Sequence, residues 1–225
     1  MNETIRHHPE DHLLLGLATG RLATGSRLLV ASHLETCEAC RQEVARLEQL
    51  GGVLLDELPP AALDPRALAL TLAAIDAPLA GARAAAAAAP ITAPSHPPMP
   101  DGAPWPEALA HCPATPWRWI GPGMRWSRIT VPEDPTANLF LLRIAAGKYL
   151  PQHTHSESEL TQVLYGSFHD GRALFGPGDF DGADGSVRHQ PVVQAGGECI
   201  CLASVEGRVL FDGWFARIAG AVVGM

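Results

Sequence analysis

The chain has 225 residues, 47% of them hydrophobic and 18% charged, which is the make-up of a soluble globular protein with room for one large domain or two small ones. Its net charge of −8 divides as 6 basic against 11 acidic residues in 1–77 and 10 against 13 in 78–225. That balance argues against nucleic acid as a direct partner of either half and favours a basic protein surface. No apolar run reaches the ~18 residues of a membrane span, and the start MNETIRHHPEDH lacks the basic-then-apolar order of a leader. The five cysteines, at 37, 40, 112, 199 and 201, are odd in number and locally clustered. They suit metal or redox chemistry in a reducing cytoplasm better than a disulfide framework.

In chain order, Leu13, Leu14, Leu17 and Leu22 give the first helical stripe, interrupted by Ala-Thr-Gly at 18–20 and 23–25. A second helix is predicted from Ser26, as N-cap, to His33. A turn through Thr36 then lets Cys37 and Cys40 open a third, whose core-facing positions run Val44, Leu47, Leu50 and Leu54. A fourth fits Asp64 to Ile75, with Asp64 as cap, Pro65 at its first position and Leu68, Leu72 and Ile75 as its stripe. Residues 1–77 thus read as a small helical bundle with a thin core.

His33-x3-Cys37-x2-Cys40 places an imidazole and two thiols at i, i+4 and i+7, a spacing that suits one metal ion. Zinc in a closed structural site takes four such ligands, and His7, His8 and His12 are the nearest sources of the fourth. The competing reading makes both cysteines buried small hydrophobes and His33 a solvated residue. Bound zinc would supply folding free energy that so small a core lacks.

An upstream His followed by His-x3-Cys-x2-Cys on a short bundle resembles the zinc-binding anti-sigma domain that sequesters extracytoplasmic-function (ECF) sigma factors. The resemblance implies a Zn2+ site of His8, His33, Cys37 and Cys40, with His7 as the alternative to His8.

Between 78 and 115 the sequence is dominated by Ala, Pro and Gly, with an unbroken alanine run at 84–89 and His96-Pro97-Pro98-Met99-Pro100. Such a stretch reads as a tether with polyproline-like parts, and Cys112 near its end as an uninvolved thiol.

From 116 to 225 the pattern changes to short apolar segments separated by Gly and Pro turns, including 117–131 and Leu139 to Ile144, which points to an all-β barrel or sandwich. Its central feature is Gly147-x5-His153-Thr-His155-x3-Glu159-x6-Gly166. Two His at i and i+2 share one strand face, and a carboxylate a few residues on can close over the same point, giving three ligands for a divalent metal. His189 is the candidate fourth. Cys199 and Cys201 share a strand face further on, where they can meet an oxidant, share a metal or simply pack.

This stretch resembles the first cupin motif at Gly147, His153, His155, Glu159 and Gly166. The second motif is partial: Gly171-x5-Pro177 fits its opening, Pro177-Gly178-Asp179 lacks the usual spacing, His189 comes late, and Val193 stands where Asn is common.

A zinc anti-sigma domain (1–77), an Ala/Pro-rich linker (78–115) and a cupin (116–225) together resemble the ChrR type of anti-sigma factor. The fold class so implied is α+β in two domains, an all-α zinc-binding bundle and an all-β jelly-roll barrel. The resemblance implies a cytoplasmic regulator, not an enzyme, that holds an ECF-type sigma factor and contacts neither nucleic acid nor membrane. It implies release when a cupin holding Zn2+ or another divalent metal senses singlet oxygen or organic peroxide, with Cys199 and Cys201 as redox or signalling residues. Because cupins often pair, a homodimer through that domain is also open. The competing class is a cupin metalloenzyme, of dioxygenase or isomerase type, carrying an accessory zinc domain. A zinc-finger nucleic-acid binder is disfavoured by the acidic charge of 1–77.

Overall fold

A computed structural model describes residues 5–76 and 95–211. The alanine run and the rest of the expected tether before Ser95 lie outside the described residues, as does everything after Phe211. Four α-helices come first: α1 (Asp11–Ala18), α2 (Thr24–Thr36), α3 (Glu38–Asp56) and α4 (Ala67–Asp76). A 3-10 turn at Glu107–Leu109 precedes eleven strands. These are β1 (Arg118–Gly121), β2 (Met124–Ile129), β3 (Leu139–Ile144), β4 (His153–His155), β5 (Ser158–Tyr165), β6 (Phe168–His169), β7 (Leu174–Phe175), β8 (Phe180–Asp184), β9 (Val192–Val193), β10 (Cys199–Glu206) and β11 (Val209–Phe211).

The main sheet has the order β1-β2-β3-β10-β5-β8, with every pairing antiparallel. Two smaller sheets, β11-β4 and β7-β6-β9, complete the barrel wall. The turn into β6 depends on Gly166, which has φ +70°, and a Cβ there would lie 2.0 Å from the carbonyl oxygen of Glu198. Only glycine fits that close approach.

The central strands explain why the helices belong to this sheet. Leu139-Phe-Leu-Leu of β3 and Cys199-Ile-Cys-Leu-Ala-Ser-Val of β10 are buried without a break, the signature of strands covered on both faces. Alternate side chains divide between two cores. Phe140, Leu142, Cys199, Cys201 and Ala203 point into the barrel. Leu139, Leu141, Ile200 and Leu202 point outward, where Leu28, Leu29 and Val30 of α2 and Leu13 and Leu14 of α1 cover them. Fully burying each such aliphatic side chain contributes roughly 1.5–3 kcal/mol.

The domain boundaries expected from composition are therefore redrawn. Among the described residues, 5–48 and 95–211 form one compact unit and 49–76 a second. Residues 1–77 do not close a bundle of their own, because the apolar face of α2 is buried against the sheet. Nor does the tether extend to 115: Leu109 and Cys112 are fully buried, and Trp105 Nε1 donates to Leu109 O at 3.1 Å. Ser26 is not an N-cap either. Ala23 takes that place, and the buried Ser26 hydroxyl donates to Glu206 Oε1 at 2.7 Å.

In the second unit, Leu50, Val53, Leu54 and Leu55 at the end of α3, Leu58 just beyond it, and Leu68, Leu70, Leu72 and Ile75 of α4 are all more than half exposed. Of the positions expected to face a core in α3, only Val44 is buried, with Leu47 partly so. The amphipathic pattern is real, but nothing among the described residues covers it.

Candidate metal centres

At the N-terminal centre, α2 stops because Cys37 leaves the helical region (φ −106°, ψ 103°), and α3 starts at the next residue. The break swings Cys37 and Cys40 toward His33 and toward the arm that precedes α1. His8 Nδ1 lies 3.3 Å from Cys37 Sγ and 3.4 Å from Cys40 Sγ. A tetrahedral zinc bound by nitrogen and sulfur at ordinary lengths would separate those atoms by about 3.5 Å. Ligand atoms of His8, His33, Cys37 and Cys40 all lie within 4.8 Å of one another.

The hydrogen bonds set which nitrogen of His33 faces the centre. Its Nδ1 is 3.0 Å from the carbonyl oxygen of Gly178, which can only accept, so Nδ1 carries the proton and Nε2 the lone pair. That Nε2 is buried and finds no hydrogen-bond partner among the described residues. A buried imidazole nitrogen so placed is costly unless something binds it. Burial also lowers the His33 pKa to about 4, keeping the ring neutral, and burial beside Cys37 pushes the Cys40 thiol up to about 12. A cation is what would draw the proton from such a thiol.

Neither alternative to His8 reaches this cluster. His7 packs its ring against Phe175, with centroids 4.6 Å apart, and His12 pairs with Glu10 at 3.2 Å.

The second cluster lies inside the barrel. β4 presents His153 and His155 inward, β5 adds Glu159, and a bridge between His153 and His189 brings the fourth residue across. Glu159 Oε2 is 2.9 Å from His155 Nε2 and 3.7 Å from the Nε2 atoms of His153 and His189. The His153 and His189 Nε2 atoms are 3.1 Å apart. These edges bracket the about 3.3 Å expected between nitrogen ligands of a tetrahedral divalent ion. His153 Nδ1 donates to Pro151 O at 2.8 Å, which again puts the lone pair on Nε2. His155 Nε2 is buried and not aligned for a hydrogen bond. Burial pushes the Glu159 carboxyl up, but the imidazoles of His153 and His155 outweigh it and hold the group ionised, below its ordinary range. Burial, and then His153, lower the His189 pKa to about 4. Three imidazoles and one carboxylate are a fitting donor set for zinc or another divalent metal.

Behind His189 lies a network that sequence reasoning missed. Arg172 donates from Nε to Asp170 Oδ2 at 2.6 Å and from Nη2 to Asp181 Oδ2 at 2.7 Å. His189 Nδ1 faces Asp170 Oδ2 at 3.6 Å and Arg172 Nη2 at 3.5 Å. Such outer groups orient a ligating imidazole. The only trace in the sequence is the acid-x-basic pattern of Asp170 and Arg172.

Cys199 and Cys201 share the inner face of β10, with sulfurs 3.6 Å apart, and line a cavity of about 40 Å³ together with Glu159, Asp181 and His189. The nearby Cys199 and burial raise the Cys201 thiol well above its ordinary range. Cys112, in contrast, joins neither cluster.

Comparison with known proteins finds relatives along nearly the whole chain. The family model described as the ChrR cupin-like domain matches residues 106–206. The anti-sigma-E factor ChrR of Cereibacter sphaeroides is 35% identical over 218 residues, which is 96% of this chain and 96% of that protein. The crystal structure of Rhodobacter sphaeroides SigE in complex with the anti-sigma ChrR matches at 34% identity and a TM-score of 0.69. That match covers 90% of this chain and 100% of the other.

Proposed function

The chain belongs to the ChrR family of anti-sigma factors, and from that premise we propose that it holds an ECF-type sigma factor inactive in the cytoplasm and releases it when its cupin meets an oxidant. The observation that carries this reading is the match from end to end, since the helical region and the cupin are shared in one order with a protein whose name is its activity. The chain is a regulator and not an enzyme. The relative that matches along nearly the whole chain is itself named as an anti-sigma factor.

In this reading His8, His33, Cys37 and Cys40 hold Zn2+ as a closed structural site. His153, His155, Glu159 and His189 hold Zn2+ or another divalent metal, which would supply a positive charge and an exchangeable position beside Cys199 and Cys201. The exposed leucines of α3 and α4 offer the sigma factor an apolar surface, and the acidic balance of 1–77 complements the basic faces that sigma factors turn to promoter DNA. Singlet oxygen and organic peroxide are the oxidant classes to test.

The deciding experiment is run-off transcription by polymerase charged with the cognate ECF sigma factor. The wild-type chain should abolish the transcript at stoichiometric amounts, and Leu54→Asp with Leu72→Asp should restore it. An undiminished transcript with the wild-type chain would sink the anti-sigma reading. Unchanged inhibition by the double variant would move the binding surface elsewhere.

A further inference from the structure

Three consecutive cupin residues, Pro177-Gly178-Asp179, reach the N-terminal centre. Asp179 is 4% exposed, and both its carboxylate oxygens accept from backbone. Oδ1 takes the N–H groups of Arg6 at 2.6 Å and His7 at 3.0 Å, while Oδ2 takes Gly176 N–H at 2.8 Å. The next residue, Phe180, donates its N–H to His7 O at 3.0 Å. The peptide groups on both sides of His7 are therefore tied to the start of β8, and the ligand His8 follows at once. Gly178 O meanwhile fixes the proton of His33. Two of the four ligands thus take their orientation from the cupin.

The same strand reaches the other centre. Neighbouring residues of a strand face opposite sides, and β8 uses both. The Phe180 ring stands edge-on to His33, with centroids 5.6 Å apart. Asp181, on the opposite face, takes the guanidinium of Arg172, which also lies against His189. Ala183 pairs in register with Glu159. Only Phe180, the first residue of β8, lies between the carboxylate that clamps the N-terminal arm and the one that braces a cupin ligand. A displacement at either end is felt at the other, because close-packed strands shift together.

We propose that Asp179 is a positioning residue of the N-terminal centre, and that β8 carries the state of the cupin centre to it. The inference rests on the two metal-site assignments made above. His8 is the ligand that responds, being exposed and carried only by the clamped arm, whereas His33 on α2, Cys37 at the junction and Cys40 on α3 are buried.

The test uses the full chain with cobalt replacing zinc. The thiolate-to-cobalt absorption arises at the N-terminal centre alone, because the cupin donor set contains no sulfur, and its decay after adding a chelator gives the rate of metal loss. Asp179→Ala should lose cobalt about tenfold faster than wild type, the usual cost of removing an outer-shell partner. Its ligand-field bands should shift as the grip of His8 loosens, a change that general destabilisation does not produce. Asp179→Asn keeps the side-chain size but turns a donor toward Gly176 N–H, and it serves if the alanine variant does not fold. His189→Ala should speed the loss by about threefold, and combining it with Asp179→Ala should add nothing, as for two steps in one line. Wild-type kinetics in both Asp179 variants would overturn the positioning role. Wild-type kinetics in His189→Ala, or independent effects in the combined variant, would overturn the transmission. No sigma factor enters the assay, so such failures leave the anti-sigma reading standing, while a wild-type chain without the thiolate band would remove the site assignment itself.

Discussion

The ligand choice at the N-terminus turns on single atoms. His7 and His8 are adjacent, yet one packs on Phe175 and the other lies between two sulfurs. His8→Ala is expected to abolish stoichiometric metal at this centre, and His7→Ala to retain it, as measured by metal analysis of the purified chains. Cys37→Ala should also lose the ion and release the sigma factor, because metal and folding free energies are linked and a structural zinc contributes on the order of 10 kcal/mol. Inhibition at wild-type potency in Cys37→Ala would rule out a structural clip. For Cys199 and Cys201, the shared face, the 3.6 Å separation and the common cavity with the cupin ligands motivate a role in the response. Replacing both by Ser should weaken induction by oxidant while sigma binding stays within about twofold, since neither thiol reaches the surface. Normal induction would leave packing as their role.

Among the elements, α2 carries the most. One side of it closes the outer face of the sheet through Leu28, Leu29 and Val30, its end supplies His33, and Ser26 and Glu35 bond to β10 and to the amides of the 3-10 turn. Leu29 is fully buried between helix and sheet, so Leu29→Ala should cost roughly 2–5 kcal/mol, read from chemical denaturation. Because helix and barrel share that core, the loss should appear as one transition in which both centres release metal together. Two separated transitions would mean that the helices unfold independently of the cupin.

On the scale of the whole molecule, the proposed division is between a surface that binds and a barrel that senses. Replacing His153, His155 and Glu159 together removes the proposed sensing centre. Severalfold faster exchange at the other centre still leaves that centre filled, so the variant should inhibit the sigma factor constitutively, with no relief by oxidant in a sigma-dependent reporter. A fragment of residues 1–77 contains all four N-terminal ligands and the exposed leucines but loses the sheet that covers α2, so it should inhibit more weakly than the full chain, and what inhibition it keeps should not respond to oxidant. It lacks Gly178 and Asp179 and bares the face of α2, so its metal should be lost faster than from the full chain. Relief of inhibition by oxidant in the fragment would place sensing in the helical part and leave the cupin without its assigned role.

Residue type and short-range spacing were enough to mark both clusters. Ligands at i, i+4 and i+7, or at i and i+2, are brought together by local helix or strand geometry, and the apolar patterns marked four helices and a β barrel. Other features depend on neighbours distant in sequence. The selection of His8 over His7 is made by Asp179 and Phe180, more than 170 positions away, which hold the arm in one register. The unbroken apolar runs of β3 and β10 demanded a second covering layer, but only packing shows that α2 provides it and so merges residues 5–48 with the cupin. The leucines of α3 and α4 carry the same amphipathic signal as core residues, because a periodic stripe records that a face is apolar and not what covers it. Composition made a tether of 95–115 for the same reason: its prolines disfavour regular structure and it has too few large apolar residues for a core of its own, yet this does not prevent Leu109 and Cys112 from being buried once the barrel offers a surface.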